Sequence, residues 1–372
     1  MKEQREKARK YDYWLSGLVF LTGRKKICLK EIFQETENLY RANTKKIHQL
    51  AFLTEREKQR LIEAMKEPEE ELSRRMEYCI ENRIYLTVWP DSQYPKRLKN
   101  IYNPPYGLFY RGTMPKQSQP AVGVVGARNC SYYGKLMAER IGCELAKAGV
   151  AVISGMAIGV DGAAQRASVK EGGYSCGVLG CGIDICYPSA SRQLYEQLGE
   201  EGCVLSEYPP NTKPLAMYFP QRNRIISGLS DCVLVVEAKE HSGSLITADF
   251  ALEQGRDIYA VPGRATDALS QGTNWLIRQG AGIFLNMEDF LKEMHIFTRI
   301  EENYFTKQKV PLEKLERLVY SCLGLTPRSL EDLLEETRLS LGVLLELLET
   351  LQKKGCVSEI YKNYYVCSDI FV

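Results

Sequence analysis

Past residue 120 the chain settles into a regular texture. Short apolar runs recur at AVGVV, VAVIS, CGVLG, CVLSE, CVLVVE, IYAVPG and GIFL. Stretches of helical length separate them. In YYGKLMAERIGCELAKAG, Tyr133, Met137, Ile141 and Leu145 share one face, and Gly149 supplies a C-terminal stop. Apolar runs alternating with amphipathic helices predict βαβ units, hence an α/β domain with a doubly wound, mainly parallel sheet. Such sheets bind ligands at the carboxyl ends of their strands.

The flanks read differently. Residues 1–75 pattern as short helices: Tyr13, Leu15, Leu18 and Leu21 recur at roughly helical spacing, and Thr54 with Glu57 forms a capping box that starts a helix at EREKQRLIEAM. A further helix, EELSRRMEYCIEN, leads into the β-rich IYLTVWP, then into the Pro- and Tyr-rich DSQYPKRLKNIYNPPYGLFYRG. Residues 296–310 are polar and read as a linker. Residues 310–372 hold three amphipathic helices and two short strands around Lys362-Asn363, the pattern of a winged helix. Domains are therefore expected at 1–75, 76–296 and 310–372.

Composition narrows the class. Of 372 residues, 49 are Lys or Arg and 47 Asp or Glu, and 44% are hydrophobic, which excludes global disorder and a polycationic tail protein. Any nucleic-acid binding must come from local clustering of charge. Residues 1–75 carry 18 Lys+Arg against 13 Asp+Glu, read first as a solvated helical face and second as an auxiliary nucleic-acid or partner surface. No apolar run approaches the ~20 residues that span a bilayer, and MKEQREKARKYDYW lacks the apolar core of a signal peptide. Twelve cysteines lie largely within apolar runs, as buried thiols do, so reduced cysteines in a cytoplasm are expected. Cys176, Cys181 and Cys186 recur every five residues, which does not suit zinc, and neither a metal nor a cofactor is expected.

Several strand ends carry glycine or polar loops: GARNCS, SGMAIGVDGAAQ, GCGIDICYP and KEHSGSLITAD. Gly123, Gly126 and Gly134 do not have dinucleotide-fingerprint spacing, and Gly134-Lys135 is followed by Leu136 where a P-loop needs Ser or Thr. What remains is a set of anion-attracting loops. Arg128 lies in the first; MYFPQRNRIISG adds Arg222 and Arg224 around Asn223, placed just before a helix; Tyr132, Tyr187, Tyr218 and Phe219 sit nearby. Anion nests, a few arginines and aromatic faces suit single-stranded nucleic acid. Asp161, Glu207 and Glu237 are read as braces for these loops rather than as catalytic groups.

The ordered blocks GARNCSYYG, SGMAIGVDGAAQRAS, VLGCGIDICYP, LSEYPP, FPQRNRIISGLSDCVLVVEA, SGSLITADFALEQGRDIYAVPG and LSQGTNWLIRQGA resemble the DNA-processing protein A family (DprA, also called Smf) over roughly residues 76–290. The resemblance implies an extended Rossmann-like domain, a sterile-alpha-motif-like helical domain before it and a winged helix after it. It implies a recombination mediator that binds and protects single-stranded DNA, forms a homodimer and helps load the RecA recombinase, chiefly in natural transformation. The DNA-binding set expected is Gly126, Arg128, Ser154, Gly155, Gly159, Gly180, Gly182, Phe219, Arg222, Asn223, Arg224, Ser242, Gly243, Ser244 and Thr247, with no catalytic residue and no membrane partner. Ala127, Gln165 and Ser191 depart from the family pattern.

The alternative is a nucleotide-processing enzyme of the LOG-like phosphoribohydrolase type. That family's motif ends in a catalytic Glu, and HSGSLITADF places Phe250 there. In the expected winged helix, 7 Lys+Arg face 10 Asp+Glu, and its third helix carries Glu346 and Glu349 with only Lys353-Lys354 at its end. That balance speaks for a protein contact rather than duplex DNA.

Overall fold

The computed structural model describes residues 2–296, 311–324 and 326–367. The chain divides into two compact units, Met1–Thr298 and Arg299–Val372. Most of the stretch expected to be a linker, residues 297–310, lies outside the described residues.

Six helices open the first unit: α1 (Lys2–Gly17), α2 (Gly23–Phe33), α3 (Thr36–Tyr40), α4 (Thr44–His48), α5 (Glu55–Ala64) and α6 (Glu69–Glu81). The expected capping box forms: the Thr54 hydroxyl accepts from the Glu57 N–H at 3.3 Å, and the Glu57 carboxylate accepts from the Thr54 N–H at 2.8 Å. The apolar face begun by α1 outlasts the helix, since Leu18 and Leu21 are buried beyond its end at Gly17. Tyr11, Trp14, Leu15 and Leu72 belong to the same apolar cluster as Leu86, Phe109 and Val204 of the sheet.

Then come β1 (Tyr85–Val88), α7 (Lys96–Lys99) and β2 (Gly107–Gly112), followed by β3 (Ala121–Val125), α8 (Tyr132–Lys147), β4 (Ala151–Ser154), α9 (Val160–Lys170), β5 (Ser175–Leu179), α10 (Arg192–Glu201), β6 (Cys203–Ser206), α11 (Tyr218–Leu229), β7 (Cys232–Val235), α12 (Gly243–Glu253), β8 (Asp257–Ala260), α13 (Gln271–Arg278), β9 (Gly282–Ile283) and α14 (Met287–Glu293). The strands form one sheet in the order β1-β2-β6-β5-β4-β3-β7-β8-β9. All neighbours are parallel except β1/β2 and β2/β6. This is the mainly parallel α/β sheet that the alternating pattern predicts, in the Rossmann-like form that the family resemblance implies. The central strands are buried on both faces, as parallel sheets require, so they read as unbroken apolar runs. Each fully buried Val, Leu or Ile contributes roughly 1.5–3 kcal/mol of hydrophobic free energy.

β2 lies in the Pro- and Tyr-rich stretch, where the pattern predicts no strand. Leu108 and Phe109 are both buried, on opposite sides of the sheet, so the strand shows no alternation. Its pairing with β6 aligns Phe109 with Ser206, far away in sequence.

The chain leaves β3 towards β4, β5 and β6 on one side and later adds β7, β8 and β9 on the other. The crevice of such a sheet opens at this reversal, outside the carboxyl ends of the strands.

The second unit contains α15 (Lys314–Ser321), β10 (Arg328–Ser329), α16 (Leu330–Thr337), α17 (Leu341–Lys353), β11 (Val357–Tyr361) and β12 (Tyr364–Cys367). Its strands form an antiparallel sheet in the order β10-β12-β11, turning at Lys362 and Asn363. Val319, Leu333, Leu344, Leu348 and Leu351 make its own core. In this unit the Lys354 ammonium neutralises the buried Glu316 carboxylate at 2.7 Å, while Lys353 pairs with Glu349 on the surface. Among the described residues no helix is long and apolar enough to cross a membrane.

Candidate nucleic-acid interface

A cavity of about 690 Å3 opens where β3, β4 and β7 end. Its walls come from the loops that lead into α8, α9 and α12 and from one face of α11. Main-chain N–H groups at helix starts carry partial positive charge, so several such loops around one cavity attract anions.

Of the residues expected from sequence, nine line this cavity: Gly126, Arg128, Phe219, Arg222, Asn223, Ser242, Gly243, Ser244 and Thr247. Arg128 is exposed, forms no ion pair among the described residues, and its guanidinium lies 5.7 Å from the centre of the Phe219 ring. The Phe219 ring meets Tyr187 at 5.4 Å. A cation held over an aromatic face beside a second ring offers a phosphate contact and a stacking surface together. Ser242 caps α12: its hydroxyl accepts from the Ser244 N–H at 3.4 Å and lies 2.8 Å from the Ser244 hydroxyl.

Arg222 is the buried cation of the site. Its Nη1 donates to the Val178 carbonyl at 2.5 Å, and its Nε has no acceptor among the described residues. Burial lowers its pKa to about 10, with Asp161 opposing the fall and Arg128 adding to it. Burial pushes the Asp161 carboxyl above the usual carboxylate range, against the pull of Arg222 and of the Gly155 N–H, which donates to it at 3.1 Å. Lys239 and His241 also line the cavity. Among the lining residues Arg128, Arg222 and Lys239 therefore face Asp161 alone, and the surplus positive charge makes a seat for an anion.

Five expected residues lie outside the lining, and all but Gly182 touch residues that form it or tie its strands together. Ser154 donates to the Val124 carbonyl at 2.6 Å and ties β4 to β3. A Cβ on Gly155 would lie 2.1 Å from Arg222 Nη1, so only glycine lets that guanidinium pass. Gly159 has φ +86°, and a Cβ there would meet the Ala127 and Arg128 carbonyls at 2.3 and 2.4 Å. Gly180 lies against the Phe219 ring, and the Gly182 N–H donates to the Thr212 carbonyl at 2.8 Å.

Arg224 stands apart. It does not reach the cavity; its Nη2 donates to both Glu207 oxygens, at 2.7 and 2.8 Å. The reason is helical phase. The helix starts at Tyr218, not after Arg224, so Arg222 and Arg224 lie within α11, about 200° apart around its axis.

Glu237 is a brace, as expected. It accepts from the Ser131 N–H at 2.8 Å and from its hydroxyl at 2.5 Å, holding the start of α8. Gln165 and Ser191 both hold Met156. Gln165 accepts from the Met156 N–H at 3.1 Å, and Ser191 donates to the Met156 carbonyl at 2.9 Å. Met156 has φ +56°, so two side chains hold a strained turn below the cavity.

Sequence reasoning misses Lys239, His241 and Asn129 as cavity residues. Their signal is position: each lies in one of the strand-end loops GARNCS and KEHSGSLITAD. None of the twelve cysteines, all of them described, is in a disulfide, and among the described residues no cluster of three or more His, Cys, Asp or Glu could hold a metal.

Comparison with known proteins gives concordant matches. A family model described as DNA recombination-mediator protein A matches residues 85–295. DNA processing protein DprA of Bacillus subtilis is 45% identical over 203 residues, 54% of this chain and 68% of that protein. The Streptococcus pneumoniae protein of the same name is 43% identical over 203 residues, 55% of this chain and 72% of its own length. The X-ray structure of DprA from S. pneumoniae superposes with a TM-score of 0.68 at 34% identity, covering 76% of this chain and 97% of that one. A structure of DNA processing protein A from Helicobacter pylori, concerned with its single-stranded DNA binding mode, gives a TM-score of 0.51 at 27% identity over 56% of this chain and 95% of its own.

Proposed function

The chain belongs to the DNA recombination-mediator protein A family, the DprA/Smf proteins, and from that premise we propose that it binds and protects single-stranded DNA in the cavity at the ends of β3, β4 and β7 and helps load the RecA recombinase, chiefly in natural transformation. The observation that carries this reading is Arg128, unpaired among the described residues, over Phe219 in a cavity that the buried Arg222 also lines. Backbone contacts and stacking tolerate any base, so no sequence preference is expected, and affinity falls with salt as counterion release weakens. The test compares single- and double-stranded oligonucleotides in a gel shift, with and without cognate RecA. Tighter binding to the single strand and RecA recruited onto it are the expected outcome; equal or tighter binding to duplex of the same length overturns the reading.

The protein works as a cytoplasmic homodimer on this reading. β9 is an edge strand, and Trp275, Ile283 and Leu285 around it are 48%, 48% and 65% exposed, whereas Leu276 is core. Light scattering should give about twice the 42.3 kDa chain mass; a strict monomer at micromolar concentration counts against it. The acidic second unit, read as a winged helix, serves protein contact.

The protein is not an enzyme on this reading. Phe250, at the position of the phosphoribohydrolase glutamate, does not line the first cavity, and Glu207 and Glu237 are engaged as braces. Turnover of AMP or ATP above background, in protein free of contaminants, would refute this.

A further inference from the structure

A second cavity, about 450 Å3, lies on the far side of α11 and α12 from the first. The loop between α1 and α2, the start of α2, the loop before β2, the residues after β6 and the outer faces of α11 and α12 enclose it. Nothing in the family reading accounts for its contents.

Its mouth is aromatic and basic. Tyr102 stands 81% exposed on the loop before β2, and Arg24 lies over its ring at 5.8 Å. Arg60 lies over the Phe20 ring at 4.2 Å. Arg24 and Arg60 are both exposed, and neither forms an ion pair among the described residues. The Arg24 N–H donates to the Asn103 side chain at 3.3 Å, which ties the Tyr102 loop to the start of α2. An exposed tyrosine ring and a half-buried phenylalanine ring, each with an unpaired arginine over it, offer a base a stacking face and its flanking phosphates a cation.

Its interior carries polar groups with spare capacity. The Lys26 ammonium is buried and donates to the Ser16 carbonyl at 2.8 Å, its one hydrogen bond among the described residues; an ammonium has three N–H groups. Gln254 Oε1 is buried without a partner, while its Nε2 donates to the Arg224 carbonyl at 3.0 Å. Phe250, Tyr208 and Ile101 add apolar wall. Of the two carboxylates, Glu207 is neutralised by Arg224, which leaves Glu253 at the surface. A buried ammonium with spare N–H groups between apolar walls matches the acceptor atoms on the edge of a nucleobase.

We propose that this second cavity receives an unstacked base of the strand held in the first, with Tyr102 and Phe20 as stacking faces and Arg24 and Arg60 on the flanking phosphates. The two cavities are separated by the α11–α12 pair and share its residues in alternation, Arg222 and Asn223 on one side and Gln221 and Arg224 on the other. The inference rests on the reading of the first cavity as a single-strand site.

The test uses the full chain and oligothymidines of increasing length, read by fluorescence anisotropy. Wild-type affinity should rise by roughly five- to hundred-fold, the increment of one stacked base, once the oligonucleotide spans both cavities. Tyr102→Ala should remove that increment and leave short-oligonucleotide binding intact, and Tyr102→Phe should restore it. Arg24→Gln with Arg60→Gln should weaken the long oligonucleotide more than the short and lower the salt dependence of the long one. Arg128→Ala should weaken both lengths alike. If Tyr102→Ala leaves the length dependence unchanged, the proposal is wrong although the first site stands. If it changes RecA recruitment alone, the surface is a protein contact and the proposal is likewise wrong. If wild type binds neither length, the reading of the first cavity fails and takes this one with it.

Discussion

Arg222 and Arg224, two residues apart on α11, look into different cavities: Arg222 lines the anion seat, and Arg224 closes on Glu207 with side chains only 8% and 17% exposed. Two arginines in one motif therefore do different work. Removing one partner of a buried ion pair strands the other charge and costs about 3–5 kcal/mol. Arg224→Ala should lower stability by that order in urea unfolding, while its folded fraction keeps near-normal affinity for short single strands. A variant as stable as wild type would show the pair to be dispensable.

Arg128→Ala should act the other way. A charge-assisted contact to phosphate contributes on the order of 1.5–3 kcal/mol, hence roughly ten- to hundred-fold in affinity. The side chain is exposed and bound to no carboxylate among the described residues, so the melting temperature should not move. Lys353→Ala is the fair control from the second unit, because its ion pair is exposed. Lys354 is not, since it neutralises the buried Glu316. A greater loss from Lys353→Ala than from Arg128→Ala, both variants folded, would move the DNA site to the second unit.

Gly159→Ala tests how far the Arg128 loop depends on backbone fit. The positive φ and the 2.3 and 2.4 Å approaches leave no room for a methyl group. The loop or the start of α9 must shift, at about 1–3 kcal/mol. Thermal melting should report that loss, and single-strand affinity should fall with it. Unchanged affinity would mean that the position of the Arg128 loop is immaterial.

Lys26 predicts a pH dependence. Burial lowers its pKa to about 8, from 10.5 for the free side chain. Between those values the unfolded chain binds a proton that the folded chain has released, so this group's contribution to stability rises with pH through that window and is least favourable below pH 8. The full span is roughly 3 kcal/mol, of which about 2 kcal/mol falls between pH 7 and pH 9.5. Urea unfolding of wild type and Lys26→Met at about pH 7 and about pH 9.5 should show wild type gaining relative to the variant at the higher pH. A difference independent of pH would show the lysine titrating as in a free peptide.

Much of this is legible in the residues, for identifiable reasons. AVGVV and CVLVVE read as strands because a central parallel strand is buried on both faces and needs no alternation. Thr54 and Glu57 announce α5 because a capping box is local chemistry. β2 escapes because its strand character comes from pairing with β6, a partner nearly a hundred residues on. The strand-end loops carrying Arg128 and Ser242 are readable as anion sites from glycine and hydroxyl content. The fate of Arg224 is not, because it depends on where α11 begins, and its tie to Glu207 exists only once the chain has folded. The second cavity is wholly illegible: Lys26, Tyr102 and Gln254 come from three distant segments, each unremarkable alone.

The strand order bears on how the protein is made. β3 emerges from the ribosome early and can pair with β4, while β5 and β6 extend the sheet away from it. Its other edge stays bare until β7 arrives, a row of open amides that invites wrong partners. The wall from Lys239 to Thr247 emerges with or just after that same β7. A nascent chain halted between β6 and β7 thus has both a bare β3 edge and an unfinished cavity; β7 covers that edge and brings the missing wall, and the open edge passes outward to β7 until β8 pairs with it.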